Sequence, residues 1–310
     1  MKVISAHNVH VDTLKSQNKK CTPLFAACMF GQKEIVELLL HHKSNVNATS
    51  NEGETPLFIS CEKGFRDIVE VLIKWNADIN LPQYGGLTPL HFSCNKNNKE
   101  IVQLLLEHNA NMNLVNYNGI SPLATATQQG YTEIVKILLK YDADVHLACS
   151  IGETPLLHSC FHGHKEIFEL LLKQNANINV PNYTGETPLV IACRQGNKEL
   201  VEFLLEQNAN IHHLTHFGAS PIYVACASSH IEIVKLLLKH SPDMIELHDL
   251  QNSRLGTPLL ISCFHGHTEI VELLLNNNSS VVINQQNHDG ETPLFISCKA
   301  GYKKIVEILL

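Results

Sequence analysis

Ten cysteines and nineteen histidines are the side chains in this 310-residue chain with the most chemistry to offer. Thiolates and imidazoles hold zinc, and thiols pair as disulfides or act as nucleophiles. Spacing decides between these roles. Eight cysteines fall in one register, Cys28, Cys61, Cys94, Cys160, Cys193, Cys226, Cys263 and Cys298, with Thr127 filling the gap in it. No Cys-x-x-Cys pair of the zinc-holding kind is present. Members carried on neighbouring packed helices would lie about 8–10 Å apart, beyond the roughly 7 Å between Cα atoms that a disulfide allows. The register therefore reads as small buried packing groups. Cys21 and Cys149 fall outside it, where exposure is expected, and neither has a neighbour in sequence that would activate a thiol. Unpaired thiols in this number fit a reducing compartment.

Two His-Gly-His segments, His162 to His164 and His265 to His267, are separated by three repeats and cannot share one ion, so no metal ligand is assigned. A Walker-type glycine loop, a nucleophile elbow and His-Glu-x-x-His are all missing. No catalytic residue, cofactor or metal is therefore expected, and the chain is read as a non-enzyme. Asn-x-Ser/Thr occurs at Asn47, Asn182 and Asn277, and without a secretory signal these are taken as chance matches.

Charge narrows the partners. The chain carries 23 basic and 30 acidic side chains, a net of −7, with no Lys/Arg block. That argues against nucleic acid and against an anionic membrane surface. No apolar run approaches the roughly 18 residues of a membrane span. An intracellular chain is expected, cytoplasmic first and nuclear second.

The elements that must position all this repeat. Thr-Pro or Ser-Pro starts at Thr22, Thr55, Thr88, Ser121, Thr154, Thr187, Ser220, Thr257 and Thr292, at intervals of 33 residues six times and then 37 and 35. A hydroxyl before Pro is a helix start, since it caps free N–H groups and Pro at the first helical position has none to lose. About eight residues on, Gly31, Gly64, Gly130 and their equivalents end the first helix in a left-handed conformation, with Asn97 and Ser229 as substitutes. A second helix of the type Glu34-Ile-Val-Glu-Leu-Leu-Leu follows, acidic in its first turn and apolar on one face. It stops at a polar residue such as Asn76, Asn109, Asn175 or Asn208. An extended stretch and a turn with Gly two residues before the next Thr or Ser close the unit. One such unit cannot bury its apolar face alone, whereas a stack can. Residues 1–21 are read as an N-terminal segment, the tail of a preceding repeat. Residues 22–310 are nine tandem repeats beginning near 22, 55, 88, 121, 154, 187, 220, 257 and 292, the last incomplete.

With these residues in view the sequence resembles the ankyrin repeat family. Gly185-Glu186-Thr187-Pro188-Leu189 and Gly163-His164-Lys165-Glu166-Ile167 follow the family pattern closely. The resemblance implies an all-α repeat solenoid of helix-turn-helix units with projecting β-hairpin loops, and protein–protein recognition as the role. The family His after Pro-Leu survives only as His91. The exits of repeats seven and eight are lengthened, around Ser241 to Arg254 and Asn278 to Val282. In relatives the positions before the hairpin Gly form a fingertip facing the partner. Here they hold Tyr84, Tyr117, Tyr183, His216 and, one residue later, Ile151 and Phe217. Phe161, His162 and Arg194 end first helices on the same face. These nine residues are the expected contacts for a protein or peptide held by a monomeric scaffold. The rival reading is the recognition arm of a larger enzyme, ubiquitin ligase or channel. The apolar end Ile308-Leu309-Leu310, where a solenoid needs a polar cap, keeps that rival open.

Overall fold

Each repeat begins with a cap that forms as its sequence predicts. In the computed structural model, which describes residues 21–241, 256–277 and 283–310, the hydroxyls of all nine Thr or Ser residues before Pro accept the N–H three residues on. The Thr22 bond to Phe25 N–H measures 3.2 Å. Replacing one such cap with Ala typically costs about 1 kcal/mol. Non-glycine residues hold the left-handed stops as well, with φ of 58° at Asn97 and 62° at Ser229 after first helices, and 58° to 66° at Lys43, Asn76, Asn109, Asp142, Asn175 and Asn208 after second helices. Asn and Asp tolerate that conformation because their short side chains bond locally.

The fold is an all-α repeat solenoid, and it divides into two compact units, one ending at Ser150 and one beginning at Ile151. In the first unit the helix pairs are α1 (Pro23–Met29) with α2 (Lys33–His41), α3 (Pro56–Lys63) with α4 (Arg66–Lys74), α5 (Pro89–Asn95) with α6 (Lys99–Glu107) and α7 (Pro122–Gln128) with α8 (Thr132–Lys140). First helices pack on first helices and second on second, so α3 lies between α1 and α5. The second unit repeats the plan with α9 (Pro155–Phe161) and α10 (Lys165–Lys173), α11 (Pro188–Gln195) and α12 (Lys198–Glu206), and α13 (Pro221–Ala227) and α14 (Ile231–His240). It continues with α15 (Pro258–His265) and α16 (Thr268–Asn277), then α17 (Pro293–Ala300) and α18 (Lys303–Leu309). Among the described residues there is no strand, and no helix is long and apolar enough to cross a membrane. The lengthened exits beyond Ser241 and Asn277 lie outside the described residues, as does the segment before Cys21.

The core runs between the two helix layers of each unit. In the first unit Leu24, Leu57, Leu90 and Leu123 on first helices and Val36, Val69, Val102 and Val135 on second helices are all buried. Burying one such side chain contributes about 1.5–3 kcal/mol. The cysteine register lies between first helices. Cys28 is hydrogen-bonded to Ser60 of the next repeat and Cys61 to Ser93, and burial pushes both thiols up to about 12. Desolvation of this kind disfavours the thiolate and leaves an inert group. All ten cysteines are free.

Two expectations for thiols need correction. Cys298 belongs to the register yet is exposed: among the described residues α17 packs on one first helix, α15, and its other face is uncovered. Cys149 is buried, not exposed. It stands three residues before the hairpin Gly, a position equally buried at Ser50, Asn182 and Thr215. Those polar residues hold the base of the finger: Asn182 Oδ1 accepts from Thr184 N–H at 3.0 Å and Glu186 N–H at 2.9 Å. Asn182 is thereby committed to the fold, which accounts for one of the Asn-x-Thr matches.

Candidate binding surface

The fingers close as tight turns without ladder pairing. Ser50 N–H donates to the Glu54 carbonyl at 2.9 Å and Gly53 N–H to the Ser50 carbonyl at 3.0 Å. What joins one finger to the next is a single backbone bond per repeat. Tyr84 N–H donates to Glu52 O (3.1 Å), Tyr117 N–H to Gly85 O (3.2 Å) and Ser150 N–H to Asn118 O (2.8 Å) in the first unit. Tyr183 N–H donates to Ile151 O (3.1 Å) and His216 N–H to Thr184 O (3.0 Å) in the second. A second bond backs it up deeper in the exit, where Asn47 Oδ1 accepts from Asp78 N–H and Asn80 Oδ1 from Asn111 N–H, both at 2.8 Å.

That bond draws each tip ring over the preceding finger. A Cβ placed on Gly152 would stand 2.5 Å from Tyr183 Cδ1, and one on Gly53 would stand 2.7 Å from Tyr84 Cδ1. One edge of each ring therefore rests on a glycine, and only a residue without a side chain fits beneath it. The rest of the ring meets solvent: Tyr84 is 66% exposed, Tyr117 78%, Tyr183 68% and Phe217 68%. Ile151 at 57% and Phe161 at 47% are exposed too. His216, His162 and Arg194 are likewise exposed. The Phe161 and His162 rings meet edge to face, and His162 stacks on His164 with centroids 5.9 Å apart.

Three of the nine sequence-selected residues come together. Arg194, His216 and Phe217 line a cleft of about 570 Å³ in the second unit. A volume of that size suits a ligand or a pair of side chains. Sequence reasoning missed most of its floor. Ala219, Ala227 and Ser228 open the space, and Tyr223 and Val224 lie below it. The signal was there in the repeat alignment. Seven residues after the cap every other repeat carries a larger side chain, such as Phe161, Arg194 or Phe264, where repeat seven has Ala227. Phe161, His162, Tyr183 and Ile151 do not line this cleft. Tyr84 and Tyr117 belong to the first unit.

The charges beside the cleft are unevenly matched. Glu186 pairs with Arg194. Burial pushes the Glu186 carboxyl up, but its hydrogen bond to Arg194, the guanidinium charge and bonds to Asn182 and Thr184 outweigh that and hold it below the usual range. Glu153, one repeat earlier, lies 3.4 Å from His158 Nδ1 and within 4.8 Å of the Cys149 thiol. Burial and then the Glu186 charge push its carboxyl up. His158 is itself buried, and desolvation holds it down at about 4, so at neutral pH it offers Glu153 no charge. Its Nε2 has no hydrogen-bond partner. His91 in the first unit is also buried but fully used. Its Nδ1 accepts from Thr88 N–H at 3.1 Å, which makes Nε2 the protonated nitrogen, and that donates to the Ile120 carbonyl at 3.0 Å. The residue that keeps the family His thus ties the cap of its own helix at Thr88 to the chain just before the next repeat at Ile120.

Capped helix pairs stacked in register, tied finger to finger and open along the finger edge, define a helical-repeat protein. A family model described as Ankyrin repeats (3 copies) matches residues 2–83, 82–149, 144–215, 182–252, 207–281 and 244–310. The chain belongs to the ankyrin repeat family, whose repeats are generally protein–protein interaction modules. No curated protein matches the chain.

Proposed function

We propose that this chain is a monomeric, non-enzymatic scaffold that holds a partner protein or peptide on its fingertips and first helices. The observation that carries the reading is the tip register. Tyr84, Tyr117 and Tyr183 each present most of a ring to solvent while their backbones are pinned to the preceding finger. A rigid aromatic with a polar tip gives large contact area at low entropic cost, and such residues dominate interface energetics. Ile151, Phe161, His162, Arg194, His216 and Phe217 extend the exposed set within the second unit. The acidic balance supports a partner other than nucleic acid or an anionic membrane. The free thiols support a reducing compartment, taken as the cytoplasm.

The test replaces Tyr84, Tyr117 and Tyr183 together with Ala. Proteins captured from native lysate by the wild-type chain are identified by mass spectrometry, and the affinity of each is measured against both chains. The reading expects a loss of about 2 kcal/mol or more in binding with a nearly unchanged melting temperature. Unchanged affinity overturns it. So does a collapse of stability, which would assign the rings to the stack.

A further inference from the structure

Repeat seven departs from its neighbours by becoming small. Ala227 stands where every other repeat has a larger side chain, and Ala219 stands where the two preceding repeats have Glu153 and Glu186. The space they vacate is the cleft of about 570 Å³, walled by Phe217 and by Arg194, whose guanidinium is tied to Glu186. Its floor is apolar, so what fills it is an apolar side chain.

The sign of the flanking charge comes from the same face. Two half-buried carboxylates, Glu153 and Glu186, have one guanidinium between them, and Glu186 holds it. Glu153 is one cation short. The whole second unit leans the same way: residues 151–310 carry 16 acidic against 10 basic side chains, whereas residues 1–150 carry 14 against 13. A field of that sign draws a basic partner and repels an acidic one.

Glu153 and Ala219 occupy the same register two repeats apart, which sets them about 20 Å from each other at the spacing of packed helices. An extended chain covers that in about six residues at roughly 3.3 Å each. We propose that the second unit binds an extended basic segment of a partner protein, with an apolar anchor side chain seated over Ala227 and a Lys or Arg about six residues away paired with Glu153. This rests on the reading of the finger face as the binding surface and adds the chemistry of what it holds.

A phage library of random peptides, each about 14 residues so that the expected span fits, is panned against the full chain. Enriched peptides are resynthesised with a fluorescent label and titrated. The proposal expects Trp, Phe, Leu or Met at one position and Lys or Arg about five to seven residues from it. Ala227→Phe, which installs the side chain that Phe161 and Phe264 already place in this register, should lower affinity by at least about tenfold at an unchanged melting temperature. Ala227→Ser keeps the cleft and should keep the affinity. Glu153→Gln should weaken binding and flatten its salt dependence. Peptides that bind Ala227→Phe as tightly as wild type, an acidic consensus, or no enrichment at all would each overturn the proposal. None of those outcomes touches the broader reading, which the triple tyrosine substitution tests on whole captured proteins.

Discussion

Lowering the pH from 7 to 5 should destabilise each unit through one buried histidine. His91 and His158 are both buried, and desolvation holds each imidazole down at about 4 against an ordinary value of 6.5. Unfolding releases them to that ordinary value. Between pH 6.5 and 4 the unfolded chain binds the extra proton, so stability rises with pH in that window and is lost as pH falls through it. A shift of this size is worth about 2 kcal/mol per site at pH 5 and about 3 near pH 4. The repeat registers supply replacements that already pack elsewhere. His91→Phe copies Phe58, and His158→Ile copies Ile59 and Ile191, all buried. At pH 7 the two should differ. His91→Phe strands Thr88 N–H and the Ile120 carbonyl, costing about 1–3 kcal/mol per group. His158→Ile removes an imidazole whose Nε2 is unpartnered and should be neutral or stabilising. Urea denaturation from pH 7.5 to 4.5, followed for wild type and both variants, reads the slopes. Carboxylates remote from the two histidines titrate alike in all three chains and cancel in the differences, and repeating the His158→Ile comparison in a Glu153→Gln background removes the carboxylate that lies 3.4 Å from His158. If a variant loses stability in parallel with wild type, its histidine is not buried in the neutral form and the argument fails.

Thiol labelling should divide the cysteines in two. Cys298 and the half-exposed Cys21 react in the native chain, while Cys149 and the other seven register thiols react only on unfolding, and fast native labelling of Cys193 would contradict this. Gly152→Ala should destabilise the second unit by about 2 kcal/mol, from the left-handed backbone at φ 80° and the Tyr183 ring beneath which a methyl does not fit; a chemical melt within error of wild type would show that the ring simply moves aside. Amide exchange should be faster in α18, where Ile305 is the buried residue, than in α12, where Leu200, Val201, Leu204 and Leu205 are. Equal protection would mean that burial of the apolar face does not set local stability here.

The helices were legible because their causes are local. A hydroxyl before Pro, a left-handed stop and an Ile-Val-x-Leu-Leu face act within one turn, so these motifs and their spacing place the helix pairs and the side-chain caps of the first helices. Burial was legible only where the neighbour repeats. Phe25, Phe58 and Phe295 share one register, yet the first two are buried and the last is 54% exposed, because exposure depends on what the adjoining unit lays across it. Cys298 against Cys263 makes the same point. Cys149 misled for a different reason. Absence from the cysteine register says nothing of burial, and its own register, with Ser50, Asn182 and Thr215, is the buried base of a finger.

The cleft shows where a search for functional residues by size goes astray. Arg194, His216 and Phe217 stood out because they are large and exposed, and each is only a wall. The cavity exists because Ala219, Ala227 and Ser228 are small. In a stack, where every position has eight counterparts, a missing side chain is as informative as a prominent one. The repeat defines the volume that ought to be filled, and a departure below that volume leaves a space whose shape and polarity the flanking repeats already determine. Read down the registers in that way, repeat seven is a place in the second unit where small side chains leave a socket among larger neighbours. The charge left unmatched at Glu153 then says which kind of chain would have reason to enter it.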